Sequence, residues 1–385
     1  MSLVYQAGTL NTTALTVPNL YVQIAQPQPL GLTGASSSKL GIVGTAGWGP
    51  VGLPVPVGGM SDYLSAFGSK QNKTTDAGLA VNIAALQGAS SFVVVRVTDG
   101  TDANATASLG GVTLSAVHTG AAGNAIVVSL TVTGAGYGLA VSHPVLGAAT
   151  YSGATWNILE AAVAQDLSAL VTIHLPDAVP DPVPGSVTLF GGLDGGAPDT
   201  SAFLGKDDII RTGMYALRGQ GCAVATLHGV TDSASYSLQA AFGLGEGVYM
   251  VAASPAYDSV SNAVSVKAAS GLDSSAVKLM FGDWIWWNDD VNGMMLVSPQ
   301  AFAAGILSAL SPEQSSLNKA LSGIVGSQKA GLGGSSATYS TAELSTLFTA
   351  GFDVVCNPGP GGTSWAVRDR TSPRSHSRHI STLFS

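Results

Sequence analysis

The sequence predicts an α/β core, a mixed and largely parallel sheet with flanking helices, interrupted by an inserted β-rich domain and preceded by an extended N-terminal arm. Three observations carry this reading. Short continuous apolar runs alternate with helix-like segments over residues 36–98 and again over 191–385, the rhythm of strands joined by crossover helices. Between 99 and 190 the composition shifts to Ala, Gly, Thr and Val in short alternating segments, which is β-rich material. Residues 1–35 show no helical period and hold Pro18, Pro27 and Pro29.

In the arm, apolar residues alternate at Leu20, Val22 and Ile24, as in an extended strand. After Lys39 the run LGIVGTA reads as a buried strand, and the turn-rich GWGPVGLPVPV leads from it to SDYLSAFG. That segment is a short helix with Ser61 at its N-cap and Gly68 beyond its end. Thr75 or Asp76 caps the next helix, Leu79, Ile83 and Leu86 form its apolar face, and Gly88 stops it. FVVVRV, Phe92 to Val97, follows as a buried strand.

In the insert, VTLSAV, AIVVSLTVTG, YGLAVSHP and VTLFGG are strand-like, and Ile158 to Leu170 is helix-like. Pro176, Pro180, Pro182 and Pro184 stiffen the connection to its last strand. An outward position and independent folding are expected of this segment. After the GGLDGG turn, Ile209 to Leu217 reads as helix, Cys222 to Leu227 as strand, YSLQAAFGLG as helix and Val248 to Ala253 as strand. KLMFGDWIWWNDD reads as one strand entering an Asn/Asp turn, and SPEQSSLNKAL as a helix with Ser311 at the N-cap and Pro312 at its first position. Ser340 and Glu343 form a capping-box pattern, opening a helix that ends at Gly351 before the strand DVVC.

At roughly 150 residues per domain, 385 residues suggest two or three domains, with 46% apolar residues to build their cores. Only 10% of residues are charged, against about 25% in an average soluble domain, so the surface is suited to contact. Every long apolar run is broken by Gly, Ser, Thr, Asp or Asn, so no membrane span is expected. The first 18 residues lack the basic start and apolar stretch of a signal peptide, so a cytoplasmic site of synthesis is expected. The formal net charge of −8 opposes binding to phosphate backbones. Four arginines, Arg368, Arg370, Arg374 and Arg378, stand against Asp369 in the last 18 residues, leaving that tail at +3 and the rest of the chain at −11. An acidic body with a basic tail can engage copies of itself head to tail, or the tail can simply be solvated.

No catalytic constellation is visible. The six histidines contain no HExxH and no pair at helical spacing beside a carboxylate, no serine sits in a GxSxG elbow, and neither GxxxxGK nor GxGxxG occurs. GAGYG and GLGEG are near-matches expected by chance among 49 glycines. Cys222 and Cys356 lie far apart in apolar runs and read as buried thiols. Asp283, Trp284, Trp286, Trp287, Asp289 and Asp290 suggest either a sugar platform with a carboxylate pair or, more simply, a buried strand with a polar exit. No catalytic, cofactor or metal site is therefore expected.

Several segments, in order, resemble the phage family of contractile tail sheath proteins. Val17 to Gly68 is similar to the family's opening, an extended arm leading into a strand, a GP turn and a short helix ending in FG. LAVNIAALQGASSFVVVRV resembles its helix and VVRV strand, ending here at Arg96 and Val97. Thr119 to Asn124 resembles its G-N turn, Gly191 to Gly195 its glycine-rich return to the core, and Arg211 to Leu217, Val291 to Ile306 and Ser311 to Leu321 follow in the family's order.

The resemblance implies a non-enzymatic homo-oligomer: stacked hexameric rings in a helical array around a tail tube, bounded by baseplate and tail terminator, and shortening on a trigger without a cofactor. It implies a virion tail sheath assembled in the host bacterial cytoplasm, with no nucleic-acid partner and no membrane insertion. The sheath of a contractile bacteriocin or injection apparatus shares these features, and a glycan-binding tail protein is the reading from another class. Candidate intersubunit residues are Leu20, Tyr21, Val22, Gln23, Ile24 and Ala25 of the arm, which can add to a neighbour's sheet, and the four tail arginines. Where many members continue past the segment resembling Thr363 to Ile380, this sequence stops at Ser385, so a truncated product or a shortened variant is expected.

Overall fold

The computed structural model describes residues 5–7, 22–24, 38–134, 136–311, 314–333, 339–357 and 365–368. The chain divides into two compact units, Met1–Ala35 and Ser36–Ser385. In the first, β1 (Tyr5–Ala7) and β2 (Val22–Ile24) pair in parallel, with Gln6 opposite Gln23.

The second unit opens with β3 (Lys39–Gly44), β4 (Pro54–Val57), α1 (Met60–Phe67), α2 (Ala77–Leu86) and β5 (Phe92–Arg96). Antiparallel strands follow: β6 (Asn104–Leu109), β7 (Val112–Thr119), β8 (Val127–Thr133), β9 (Gly136–His143) and β10 (Gly147–Gly153), then α3 (Trp156–Ala164), β11 (Val171–His174) and β12 (Gly185–Thr188). Helix and strand alternation resumes with α4 (Thr200–Leu204), β13 (Cys222–Leu227), α5 (Tyr236–Glu246), β14 (Tyr249–Ala253), α6 (Val260–Ser270) and β15 (Val277–Met280). Last come β16 (Ile285–Asp289), β17 (Gly293–Val297), α7 (Gln300–Ala309), β18 (Ile324–Ser327), β19 (Gly331–Leu332), α8 (Thr341–Ala350), β20 (Val354–Cys356) and β21 (Ala366–Arg368).

The largest sheet has the order β15-β14-β13-β3-β5-β4, parallel throughout except at β4. Its strands are apolar on both faces because both faces are covered. Leu40, Ile42, Val94 and Val224 pack on the side of α2 and α7, while Val43, Val93, Val95 and Ala225 pack on the side of Phe203, Met214 and Phe242. Residues 104–188 build two antiparallel sheets, β10-β9-β8-β12 and β11-β7-β6, around fully buried Trp156 of α3. Trp48, which precedes this segment by some fifty positions, belongs to the same apolar cluster.

Several sequence expectations need correction. Ser61 is not the N-cap of α1: that position is Gly59, and the Gly58 amide donates to Asp62 Oδ2 (2.9 Å), so the carboxylate of the first turn serves the helix start. Asp76 does cap α2, accepting from Leu79 N, and Leu79 and Ile83 are buried, but Leu86 is 52% exposed at the helix end. The insert's helix spans Trp156–Ala164 and stops short of Leu170. Ile209 to Leu217 is not one helix: only Gly213–Leu217 winds, as a 3-10 turn, because Asp207 and Asp208 hold the preceding loop to Arg218, Arg211 and the Ile209 amide.

KLMFGDWIWWNDD is two strands, β15 and β16, broken at Gly282, whose backbone lies so close to Pro255 O that a Cβ would overlap it. No helix forms over 314–321. Asn318 N and Leu321 N instead donate to Val367 O and Trp365 O (both 2.8 Å), so inter-segment backbone pairing displaces the local helical signal; Pro312 lies outside the described residues. Ser340 and Glu343 form the full capping box of α8, which ends in left-handed Gly351.

Candidate functional site

Of the predicted arm residues, Val22, Gln23 and Ile24 form β2 and take an in-chain strand partner, β1. Leu20, Tyr21 and Ala25 lie outside the described residues, as do Arg370, Arg374 and Arg378. Arg368 ends β21 opposite Val354, half-buried in a two-stranded antiparallel pair.

The best-defined polar constellation lies where the insert meets the large sheet. Arg96, last residue of β5, is fully buried and donates through Nη1 to Gly49 O (2.7 Å) and Thr119 O (2.9 Å). Burial lowers its pKa, while the charges of Asp102 and Asp194 oppose that shift. Asp194 accepts from Gln71 Nε2 (2.6 Å) and Ala121 N (2.7 Å), and Lys73 Nζ lies 3.6 Å away. Asn124 and Gly192 exchange two hydrogen bonds of 2.9 and 2.7 Å. Trp48 meets His118 edge to face at 5.2 Å. Gly120, at φ 128°, lies so close to Gly47 O that no side chain fits there. One polar seam thus joins β5, the Thr119–Asn124 turn and the glycine-rich return segment.

A second constellation fixes the loop between α1 and α2 to the β16–β17 hairpin. Lys70, 3% exposed at its side chain, pairs with Asp289 at 2.6 Å and with Asp290. Asp289 also accepts from Val291 N (3.1 Å) and Asn292 N (2.9 Å), closing the turn, and these bonds with Lys70 outweigh burial to hold its pKa below the ordinary value. The carboxylates are thereby committed to structure. Trp284 and Trp287 are both 6% exposed, with Trp287 edge to face on Phe302 at 5.8 Å and Trp284 Nε1 donating to Ser254 O. Those two indoles are core, and half-buried Trp286 alone of the three is partly open, so the stretch presents no run of exposed indoles for stacking.

The carboxyl ends of the parallel strands open into two clefts, where α/β sheets commonly take ligands. One, of about 470 Å³, is bordered by Thr75, Thr200, Gly229 and Asp232; the other, of about 590 Å³, by Tyr257, Asp283, Lys329, Tyr339 and Glu343. In the larger cleft the charges of Asp283, Lys329 and Glu343 are already paired or hydrogen-bonded. Asp283 accepts from Ser327 Oγ and Lys329 N (both 2.9 Å), and Lys329 Nζ sits 2.6 Å from Glu343 and 4.1 Å from the Tyr339 ring centre. Glu343 is pulled down to about 2 by Lys329 and the Ser340 cap. His228 is fully buried and pushed down to about 4, and burial pushes the Cys222 thiol up to about 12, so neither is poised as base or nucleophile at neutral pH.

The seam was missed in the sequence, although it left a trace: an arginine inside the apolar run FVVVRV has to find acceptors once that strand is buried. Asp194 and Lys70 left none, because their partners lie 73 to 220 positions away.

No protein-family model matches the chain, and no curated protein does. Among solved structures, the chain is similar to the sheath tail protein of Desulfitobacterium hafniense, with a TM-score of 0.62 and 16% identity over 95% of this chain and 80% of that one. It is also similar to a sheath tail protein of Listeria innocua, with a TM-score of 0.65 and 16% identity over 90% of this chain and 73% of that one. At this identity the likeness is one of fold, and the chain has the fold of these sheath tail proteins.

Proposed function

We propose that the chain is a structural, non-enzymatic subunit of a contractile tail sheath. The observation that carries this is the likeness of fold to sheath tail proteins over nearly the whole chain, in agreement with the segment-by-segment resemblance of the sequence. In this reading, copies form stacked hexameric rings around a tail tube, between baseplate and terminator, in a phage tail assembled in the host cytoplasm. Copies related by rotation and translation give an open helical array, and shortening needs no nucleotide if the extended array is kinetically trapped above the contracted one.

Residues 99–190 form an outward module in this proposal, 36–98 and 191–385 the α/β core, and 1–35 the linking arm. Two-stranded sheets are marginal alone, and each strand of the β1–β2 pair has one edge with no strand on it among the described residues. That supports Leu20 to Ala25 as a segment completed by a neighbour's strand, with Arg368, Arg370, Arg374 and Arg378 meeting the acidic body of another copy. The test is electron microscopy of the purified chain at high concentration, with and without tail tube. Hollow striated tubes support the reading, and no assembly under either condition overturns it. Deleting residues 1–30 is expected to leave a cooperative melt and weaken assembly; loss of the melt would place the arm in the protomer's own core.

A further inference from the structure

Helix α5 lies on the surface yet is apolar on its outer side as well as its inner one. Tyr236, Gln239, Ala240, Phe242 and Gly243 face inward, while Leu238, Ala241, Leu244 and Gly245 are exposed beside one polar residue, Ser237, with Leu244 exposed by 62% and Leu238 by 45%. A helix that is apolar all round is ordinarily covered on all sides. The neighbouring loop repeats the pattern, with Ile209 99% and Ile210 73% exposed.

An ion-pair chain ties loop and helix together. Arg218 donates through Nη1 to both oxygens of Asp207 (2.6 Å each) in the loop and through Nε to Glu246 Oε1 (2.6 Å) at the end of α5, and Arg211 Nε lies 3.2 Å from Asp207. These four charges cancel, and Lys206 and Asp208 of the same exposed loop cancel in turn, so the charges beside the apolar residues sum to zero. A partner of strong charge gains nothing at this surface, whereas an apolar, weakly charged one loses no hydration of ions on docking. The chain itself, 46% apolar and 10% charged, is such a partner.

We propose that the face formed by α5 and the Ile209–Ile210 loop is a contact surface for a second copy of this chain. This rests on the sheath reading, which makes other copies the commonest neighbours, and adds to it a specific face unrelated to the arm. Small Ala241 and Gly245 let an opposing backbone approach, while Leu238, Leu244 and Ile209 supply the area buried.

The experiment uses the purified full chain, by itself and with tail tube. Ile209→Asp with Leu244→Asp is expected to raise the concentration needed for assembly by about tenfold or more, with an unchanged melting temperature. A second measurement keeps the test informative if that variant fails to fold. In Leu244→Cys the new thiol is the accessible one, since Cys222 and Cys356 are 7% and 4% exposed, and its reaction with a bulky maleimide should slow by about tenfold or more on assembly. Assembly of the aspartate variant at the wild-type concentration, or equal maleimide rates in free and assembled chains, would overturn this face while leaving the sheath reading intact. A wild-type chain that stays monomeric, with or without tail tube, would overturn both.

Discussion

Replacing Asp76 by Asn should flatten a pH dependence that the wild-type fold carries. Asp76 is fully buried at the N-cap of α2, where Oδ2 accepts from Leu79 N at 2.9 Å. Burial drives its pKa up from 3.8 to about 7; amides of Leu79, Gln71 and Gly78 oppose the shift, and the charge of Asp289 adds to it. Between about pH 4 and about pH 7 the folded chain therefore keeps a proton that the unfolded chain has lost, so stability falls as pH rises through this window. At about 1.4 kcal/mol for each tenfold difference in proton affinity between the folded and unfolded chain, the loss from this group comes to roughly 4 kcal/mol by neutrality. Asn keeps an acceptor for the Leu79 amide and cannot ionise. Guanidinium melts from about pH 4 to about pH 8 should show the variant gaining on the wild type across the window by an amount of that order, with unchanged m. Parallel stability curves for the two proteins would refute the reasoning.

Three further outcomes follow from the packing. Trp48→Ala should cost about 3–5 kcal/mol in chemical denaturation, because the indole fills the cluster of the β-rich segment from outside it; the isolated segment 99–190 should accordingly melt less cooperatively than the whole chain. Asp353→Ala, which removes a carboxylate paired with buried Lys278, should cost about 1.5–3 kcal/mol in the same measurement, and an unchanged stability would contradict the pairing. Neither cysteine should react with a thiol reagent at about pH 8 until the chain unfolds, when both should react together; prompt labelling of the native protein would contradict the burial of Cys222.

The sequence announced the elements whose signals are local. The Ser340–Glu343 box, Asp76 at its cap, the runs Phe92 to Arg96 and Cys222 to Leu227, and buried Cys222 and Cys356 all depend on spacing within a few residues or on continuous apolarity. What failed depended on distant chain. Ser311 carried a sound helix-start pattern, but the backbone of Trp365 and Val367 offered the residues after it a better set of hydrogen bonds. The break at Gly282 is set by Pro255, and the strand at Pro54–Val57 by pairing with β5, neither of which a local window contains. The polar seam follows the same rule: Arg96 was visible, but its acceptors at Gly49 and Thr119 were not.

The largest sheet ends in two closed margins. At β4, Pro54 and Pro56 stand opposite Val95 and Val93, and being two apart they turn the same way, so the outward side of that strand lacks amide donors at both positions. At the far margin, Asp353 donates to Leu279 O of β15 and accepts from Phe281 N just beyond it (both 2.8 Å), taking up outer backbone groups at that end of the strand. Both margins therefore hinder newly made copies from zipping together through their main sheets into fibres, the hazard that open strand margins create. Any ordered polymer this chain builds has to be nucleated through shorter, separately placed edges and helical faces, which makes the starting point of growth selectable rather than spontaneous.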